Sequence, residues 1–186
     1  MTAKKVITVG TDRNNETRDM DTFQKSYKSG IAGEKAILRY FAKLGFNVVA
    51  SEADDNIFND IDGYINTTSV SIKCQDSATD KRYPRPHFYF EVEAELTANG
   101  EWVPSWFYTG KAQKYIVAHQ NTLYVLNREV VHEYIAKHGW AYTRCLSKSV
   151  RAGQGGTYRY SNARCGFIPC DELPIEKVFH MPEGTR

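Results

Sequence analysis

The segment 59–75, with the sequence NDIDGYINTTSVSIKCQ, constrains the fold of this chain more than any other segment. In a β-strand, successive side chains point to opposite faces of the sheet. The first half of the segment places on one face Asp60, Asp62 and Tyr64, and the second half places on one face Ser71, Lys73 and Gln75. We therefore predict two strands, Ile61–Ile65 and Val70–Gln75, joined by a turn, with a lysine in the middle of a polar face.

A helical pattern comes directly before this two-strand unit. Apolar residues recur at steps of three and four residues from Ile31 to Leu44, and Gly45 supplies a stop signal. Glu34 lies on the same stripe as Ile37, so the helix should turn this carboxylate toward the sheet. Burial of an ionised carboxylate is costly without a compensating cation or donor. The alternative is a first-turn glutamate, which stabilises a helix N-terminus by about 0.3–1 kcal/mol.

The remaining patterns predict more strands than helices. We expect strands at Phe46–Ala50, Phe88–Glu95, Tyr115–Ala118 and Leu123–Leu126, a helix at Val130–Lys137, and a short terminal helix at Asp171–Phe179. Together these elements predict an α/β fold with a central, mixed β-sheet flanked by helices. The length of 186 residues fits one domain, which we place at 29–186 after an N-terminal arm at 1–28, with a basic glycine-rich loop near 144–164.

Composition and spacing exclude several functional classes. No apolar stretch approaches the ~20 residues that cross a bilayer, and the N-terminus lacks a signal-peptide core, so we expect a cytoplasmic protein. The four cysteines form no CxxC pair and the five histidines show no ligand spacing, which argues against a zinc site. The segment 152–156 is glycine-rich but lacks the lysine and hydroxyl residue of a P-loop, so no nucleotide cofactor is predicted.

The two polar faces predict a specific chemistry if they coincide in the folded chain. Asp62 and Lys73 would then lie close together, with Glu34 reaching over from the helix. Carboxylate oxygens are the ligands that Mg²⁺ prefers, a bound metal polarises a phosphate and acidifies a water, and a lysine orients or deprotonates that water. This set suits hydrolysis of a phosphodiester. The alternative is an exposed hairpin whose Asp–Lys pair contributes only about 0–1 kcal/mol.

Three stretches of the chain carry a resemblance to a known family. GEKAILRYFAKLGFNVV, DIDGYI and SVSIKCQ, within residues 30–75, resemble nucleases of the PD-(D/E)XK, or restriction-endonuclease-like, superfamily. The resemblance implies a restriction-endonuclease-like core and a Mg²⁺-dependent DNA endonuclease of homing, restriction or junction-resolving type, with Mn²⁺ as a substitute metal. It also implies that Glu34 lies on the helix, that Asp62 is the catalytic aspartate and that Lys73 is the catalytic lysine.

Two further positions follow from the same resemblance. Asp60 is the alternative to Asp62, because both lie on one face and the sequence does not choose between them. Gln75 matches a glutamine that several branches of the superfamily carry two residues after the lysine, and it would position the water or the phosphate.

The chain departs from the motif two residues before the lysine, where Ser71 replaces the usual Glu or Asp. A hydroxyl is a poorer ligand for Mg²⁺ than a carboxylate. The resemblance then implies that the metal depends on Asp62, on the backbone carbonyl of Ile72 and on a carboxylate from elsewhere. Glu34 is the first candidate for that carboxylate, and Glu91 is the second.

Charge distribution points to DNA as the partner. The stretch 134–170 contains no Asp or Glu, although the net charge of the chain is only +2. The basic residues that we expect to contact DNA are Arg82, Arg85, Lys111, Lys148, Arg151, Arg159 and Arg164. Cleavage of both strands or of a symmetric junction would need two sites, so a homodimer is expected. The alternatives are a catalytically silent DNA-binding protein and, less favoured, an RNA nuclease.

A cluster of aromatic residues lies ahead of the strand at Tyr115. It comprises Trp102, Trp106, Phe107 and Tyr108, close to Lys111 and Lys114. Such residues can stack on nucleic-acid bases, but packing in the core is the more frequent role, and it is the one that we predict.

Overall fold

A computed structural model describes residues 7–8, 20–52, 59–74, 84–96, 99–139, 141–145 and 160–184. Of residues 7–8, 20–28, 141–145 and 160–162, the backbone alone is described. In chain order, the elements are β1 (Ile7–Thr8), α1 (Met20–Lys43), β2 (Val48–Ala50), β3 (Gly63–Ile65), β4 (Thr68–Cys74), β5 (His87–Leu96), β6 (Trp102–Pro104), α2 (Trp106–Thr109), β7 (Lys114–His119), β8 (Thr122–Asn127), α3 (Arg128–His138), β9 (Ala141–Cys145), β10 (Tyr160–Pro169), a 3₁₀ turn (Cys170–Glu172) and β11 (Ile175–His180).

Two sheets organise these strands. The central sheet has six strands in the order β11-β8-β7-β4-β3-β2, in which β4 and β7 are parallel and every other pair is antiparallel. The second sheet has five strands in the order β1-β9-β10-β5-β6. The α/β class and the mixed central sheet are therefore confirmed, whereas the second sheet was not foreseen.

The helix α1 covers one face of the central sheet. Its residues Ile37, Leu38 and Phe41 pack against Val70 and Ile72 of β4, as the alternation of the hairpin predicted. Burying aliphatic and aromatic side chains of this size contributes about 1.5–3 kcal/mol each. The apolar side of the hairpin is thus fixed against the helix, and this leaves the side chains of Ser71 and Lys73 on the opposite face.

The second sheet and α3 cover that opposite face. Phe88 and Phe90 of β5 join a buried cluster with Tyr115 and Val117 of β7 and with Val131 of α3. Tyr115 stands directly beside Ser71 in the parallel pair of strands, and Val117 beside Lys73. The side chains of Ser71 and Lys73 therefore lie beside the aromatic core rather than in open solvent.

Two predicted elements are wrong. The helix α1 begins at Met20, not near residue 30, so residues 20–28 of the predicted arm belong to it. The predicted terminal helix at Asp171–Phe179 is a short 3₁₀ turn followed by β11, which pairs antiparallel with β8. Pairing with a strand far away in the chain overrides the weak local preference.

No helix in the described ranges is long and apolar enough to cross a membrane.

Candidate functional site

An ion pair between Lys73 and Asp60 forms the centre of the candidate site. Lys73 Nζ lies 2.8 Å from Asp60 Oδ1 and 3.1 Å from Oδ2. The hydroxyl of Ser71 donates to Asp60 Oδ2 at 2.8 Å. Both side chains are largely buried, with 22% of the lysine and 15% of the aspartate exposed. The carboxylate is therefore held by two donors from one face of β4.

The backbone around Asp60 explains how this carboxylate reaches β4. Asp60 has a φ of +52°, a left-handed conformation that aspartate adopts more readily than most residues. The carbonyl of the preceding Asn59 accepts a hydrogen bond of 2.7 Å from the amide of Lys111. Gly110 lies so close that a Cβ there would meet Asp60 Cβ at 3.2 Å and the carbonyl of Trp106 at 2.6 Å. A glycine at this position lets the two segments approach each other.

The carboxylate of Asp62 is held by the backbone of β4. Its Oδ2 accepts a hydrogen bond of 2.5 Å from the amide of Ile72, and its own amide donates to the carbonyl of Val70 at 2.9 Å. The register of β3 with β4 runs from Gly63 beside Val70 to Ile65 beside Thr68, and Asp62 directly precedes it. That Asp62 and Lys73 lie close together stays a prediction; the carboxylate that pairs with the lysine is that of Asp60, the alternative that the sequence left open.

Glu34 lies on α1, in the interior of the helix and not in its first turn. Gly33 brings this part of α1 against β4, because a Cβ at Gly33 would meet Cys74 Sγ at 2.7 Å. The pKa of Glu34 is raised from its ordinary value of 4.5 to about 7, first by burial and then by the negative charge of Asp62, while Lys73 acts in the opposite direction. Glu34 thus shares an electrostatic environment with both residues, and the alternative of a helix-capping glutamate is excluded.

Trp106 is a member of the site that the sequence did not reveal. Lys73 Nζ lies 3.8 Å from the centroid of its ring. The ring also packs edge-on against Phe107 and Tyr115, at centroid distances of 6.3 Å and 6.1 Å. The prediction of core packing is correct for Phe107, which is 1% exposed, but Tyr108 is 52% exposed. The only signal in the sequence was a tryptophan in a cluster with nearby lysines.

The other predicted ligands are placed as follows. Ile72 is buried on β4 between Ser71 and Lys73. Glu91 accepts a short hydrogen bond from the hydroxyl of Ser105, the residue that immediately precedes Trp106. Gln75 lies outside the described residues. Glu91 is therefore engaged in holding the start of α2.

The predicted DNA contacts separate into three groups. Arg85 pairs with Asp171 and Glu172, at 2.9 Å each. Arg164 pairs with Glu93 at 2.7 Å and stacks over Trp102, with its guanidinium carbon 4.1 Å from the ring centroid. Lys111 is exposed next to the site. The remaining predicted contacts, which lie outside the described residues, are Arg82, Lys148, Arg151 and Arg159.

The donor chemistry of the site fits a hard divalent cation. The pKa of Glu34 is raised by burial and then by the charge of Asp62, so these two carboxylates are electrostatically coupled. Oxygen ligands of this kind are the ones that Mg²⁺ and Mn²⁺ use. Within the part of the chain that is described, no three His, Cys, Asp or Glu side chains are arranged as a ready metal centre. A cation would therefore take two carboxylates, with backbone oxygens and water completing its shell.

Comparison with known proteins gives no match to a family model, to a curated protein or to a solved structure. The restriction-endonuclease-like assignment therefore stays a prediction, and the functional argument rests on the contacts of the site itself.

Proposed function

We propose that this chain is a Mg²⁺-dependent endonuclease that hydrolyses DNA phosphodiester bonds on a restriction-endonuclease-like core. The observation that carries the proposal is the position of Lys73, a mid-strand lysine that is largely buried, paired with Asp60 and electrostatically coupled to Glu34. Strongly perturbed titratable groups with a defined charge partner are typical of functional sites. A lysine that served stability alone would need one carboxylate, whereas Lys73 pairs with Asp60 and also acts on the pKa of Glu34.

The charge balance of the site supports a cation as an additional component. Burial and then the charge of Asp62 raise the pKa of Glu34, with a smaller contribution from Asp60, and the cations Lys73 and Lys35 offset this only in part. Glu34 and Asp62 would hold the metal, together with the backbone carbonyl of Ile72. When bound, Mg²⁺ polarises a phosphate oxygen and acidifies a coordinated water.

The contacts of Lys73 indicate which role each protein group would have in catalysis. Asp60 holds the ammonium of Lys73, so that its remaining N–H groups are free to donate to an attacking water or to a phosphate oxygen. Of the two roles that the sequence left open for Lys73, this arrangement favours orientation of the water over deprotonation. Gln75, one residue beyond the end of β4, keeps its proposed role of positioning the water or the phosphate.

Asp60 also bears on the unusual Ser71. The motif has a carboxylate at position 71, and here the Ser71 hydroxyl binds the carboxylate of Asp60. A carboxylate is therefore present beside this position, although it comes from the turn before β3. This contact supports retained catalysis despite the substitution, with Asp60 rather than Asp62 as the group next to Lys73.

The second candidate function is a catalytically silent DNA-binding protein. It is favoured by one observation, namely that Ser71 stands where the motif usually has a carboxylate. In both cases we propose DNA as the partner, a homodimer as the assembly and a cytoplasmic location. An RNA nuclease is an outcome that the substrate panel below would reveal.

The test is incubation of the purified chain with supercoiled, linear and branched DNA and with RNA, in Mg²⁺, in Mn²⁺ and in EDTA. We expect cleavage of DNA that EDTA abolishes. The Lys73→Met variant tests the site, and Lys114→Met is a matched control, because Lys114 is an ion-paired lysine on the adjacent strand. DNA binding without cleavage in either metal would establish the silent protein instead. Equal cleavage by wild type and Lys73→Met would refute this active site.

A further inference from the structure

We propose that Trp106 is the positioning residue of Lys73: its ring and the carboxylate of Asp60 fix the ammonium from two sides. This inference rests on the proposed function and extends it to a residue from another part of the fold. The inference is based on one contact, in which Lys73 Nζ lies 3.8 Å from the ring centroid of Trp106. A cation within about 6 Å of a tryptophan ring face is attracted by the ring quadrupole, and tryptophan is the strongest of the aromatic residues in this respect.

The two partners of Lys73 differ in what they impose on the ammonium. Asp60 binds through Oδ1 at 2.8 Å and Oδ2 at 3.1 Å and therefore sets the direction of at least one N–H group. The ring of Trp106 attracts the ammonium through its quadrupole and does not accept a conventional hydrogen bond. It therefore restrains the position of Nζ and leaves other N–H groups available. A flexible lysine with a single partner would lose more side-chain entropy on reaching a productive geometry.

The ring itself is held firmly by the core. Trp106 packs against Phe107 and Tyr115, and Tyr115 is 1% exposed. Ser105, directly before Trp106, is 9% exposed, and its amide donates to the carbonyl of Val92 at 2.9 Å. The Ser105 hydroxyl donates to Glu91. The second sheet thus anchors the tryptophan, which explains why a residue outside the hairpin can define the geometry of a lysine within it.

The first experiment compares Trp106→Leu with Trp106→Tyr and Trp106→Phe in steady-state DNA cleavage. We expect kcat of Trp106→Leu to fall by about 3- to 30-fold, the range that a cation–π contact spans between exposed and desolvated sites. Trp106→Tyr and Trp106→Phe, which retain a ring, should recover part of the loss. KM should change by less than about twofold, because the contact acts on the reacting geometry and not on the binding of DNA.

Trp102→Leu is the matched control. Trp102 also stacks with a cation, Arg164, but it lies on β6 and not against Lys73. Its kcat should stay within about twofold of the wild-type value. An equal loss of kcat in Trp102→Leu and Trp106→Leu would assign the effect to general weakening of the second sheet and would overturn the inference.

The second experiment separates the electrostatic contact from packing. Fluorinated tryptophans, introduced at position 106 alone by nonsense suppression, weaken the ring quadrupole stepwise with little change of shape. We expect log kcat to fall linearly with the number of fluorine atoms. A flat series with an active wild type overturns the positioning role and leaves the nuclease intact. A wild type without cleavage overturns the nuclease and, with it, this inference.

Discussion

Two lysines on neighbouring strands of the central sheet form ion pairs that differ in their surroundings. Lys114 on β7 pairs with Glu176 at 2.5 Å, and Lys73 on β4 pairs with Asp60 at 2.8 Å. Distance alone would rank the first pair above the second. The surroundings reverse this ranking, because the Lys114 pair is more exposed, whereas Lys73 and Asp60 lie among further carboxylates and against an aromatic ring.

The comparison teaches that excess charge and desolvation, not the ion pair itself, mark the site. An ion pair between one lysine and one carboxylate near water contributes about 0–1 kcal/mol to stability. By itself it gives no indication of a catalytic role. At the Lys73 site the pKa of Glu34 rises to about 7 through burial and then through the charge of Asp62, although Lys73 and Lys35 act in the opposite direction. Such a set is costly for the free protein, and the proposed cation would offset this cost.

The largest expected effect is a loss of DNA cleavage when Lys73, but not Lys114, is replaced. Lys73→Met should lower kcat for DNA cleavage by about 10²- to 10⁴-fold, the range for loss of a positioned donor or proton-transfer group. Lys114→Met should leave kcat within about twofold, because Lys114 pairs with Glu176 of β11 in a more exposed ion pair. Steady-state kinetics measure both variants, and circular dichroism verifies that each is folded. Equal losses in both variants would contradict the distinction.

The next prediction separates Asp60 from Asp62. Asp62→Asn should weaken Mg²⁺ affinity by about 10-fold or more, because it removes a proposed ligand, and calorimetric titration of Mg²⁺ measures this affinity. Asp60→Asn should keep the affinity but lower kcat by about 10-fold, because Lys73 loses its charge partner. Reversed results would assign the metal to Asp60 and would make Asp62 the structural residue.

Ser71→Glu sharpens the comparison by adding a carboxylate where the motif usually has one. Ser71 is fully buried and donates to Asp60, so the variant places a second negative charge against the first. We expect a metal-free protein with a Tm lowered by about 4–8 °C, corresponding to ~2 kcal/mol in a chain of this size, and a larger gain on adding Mg²⁺ than in wild type.

Thermal melts with and without Mg²⁺ decide this prediction. Ser71→Ala is the control, because it removes the same hydroxyl without adding charge. If Mg²⁺ stabilised Ser71→Glu no more than Ser71→Ala, the proposed ligand assignment would be wrong.

The smallest effect concerns the proton of Glu34. Between pH 4.5 and about 7 the folded chain retains a proton that the unfolded chain has released, so the free energy of unfolding falls as the pH rises through this window. Glu34→Gln removes this dependence. At pH 8 we expect its Tm to exceed the wild-type value by about 2–4 °C, a modest gain because water screens a half-buried group.

The measurement is a series of thermal melts from pH 4 to pH 8. Below pH 4.5 the two proteins should differ least, since Glu34 is then protonated in both the folded and the unfolded chain. Saturating Mg²⁺ should remove the advantage of Glu34→Gln at pH 8, because a bound cation stabilises the charged carboxylate. A difference in Tm that is constant over the whole pH range would show that Glu34 titrates normally.

Local patterns were enough to predict the parts of the fold that depend on neighbours in the sequence. The period of 3.6 residues predicted most of α1, and the alternation of β4 predicted which of its residues face the helix. The helix α3 was predicted at Val130–Lys137, with a stop at Gly139, and it spans Arg128–His138. The strand β5 was predicted at Phe88–Glu95, but β11 and the second sheet to which β5 belongs were missed, because they depend on pairing with distant strands.

The same division holds within the site. The sequence by itself determined the inventory of chemical groups, namely a mid-strand lysine, two aspartates before it and a glutamate on the apolar stripe of a helix. The tertiary structure alone decided which aspartate meets Lys73, because the left-handed φ of Asp60 interrupts the alternation that a regular strand would have. It also brought in Trp106 from beyond β6, since contacts between residues far apart in the chain exist only once the two sheets pack together.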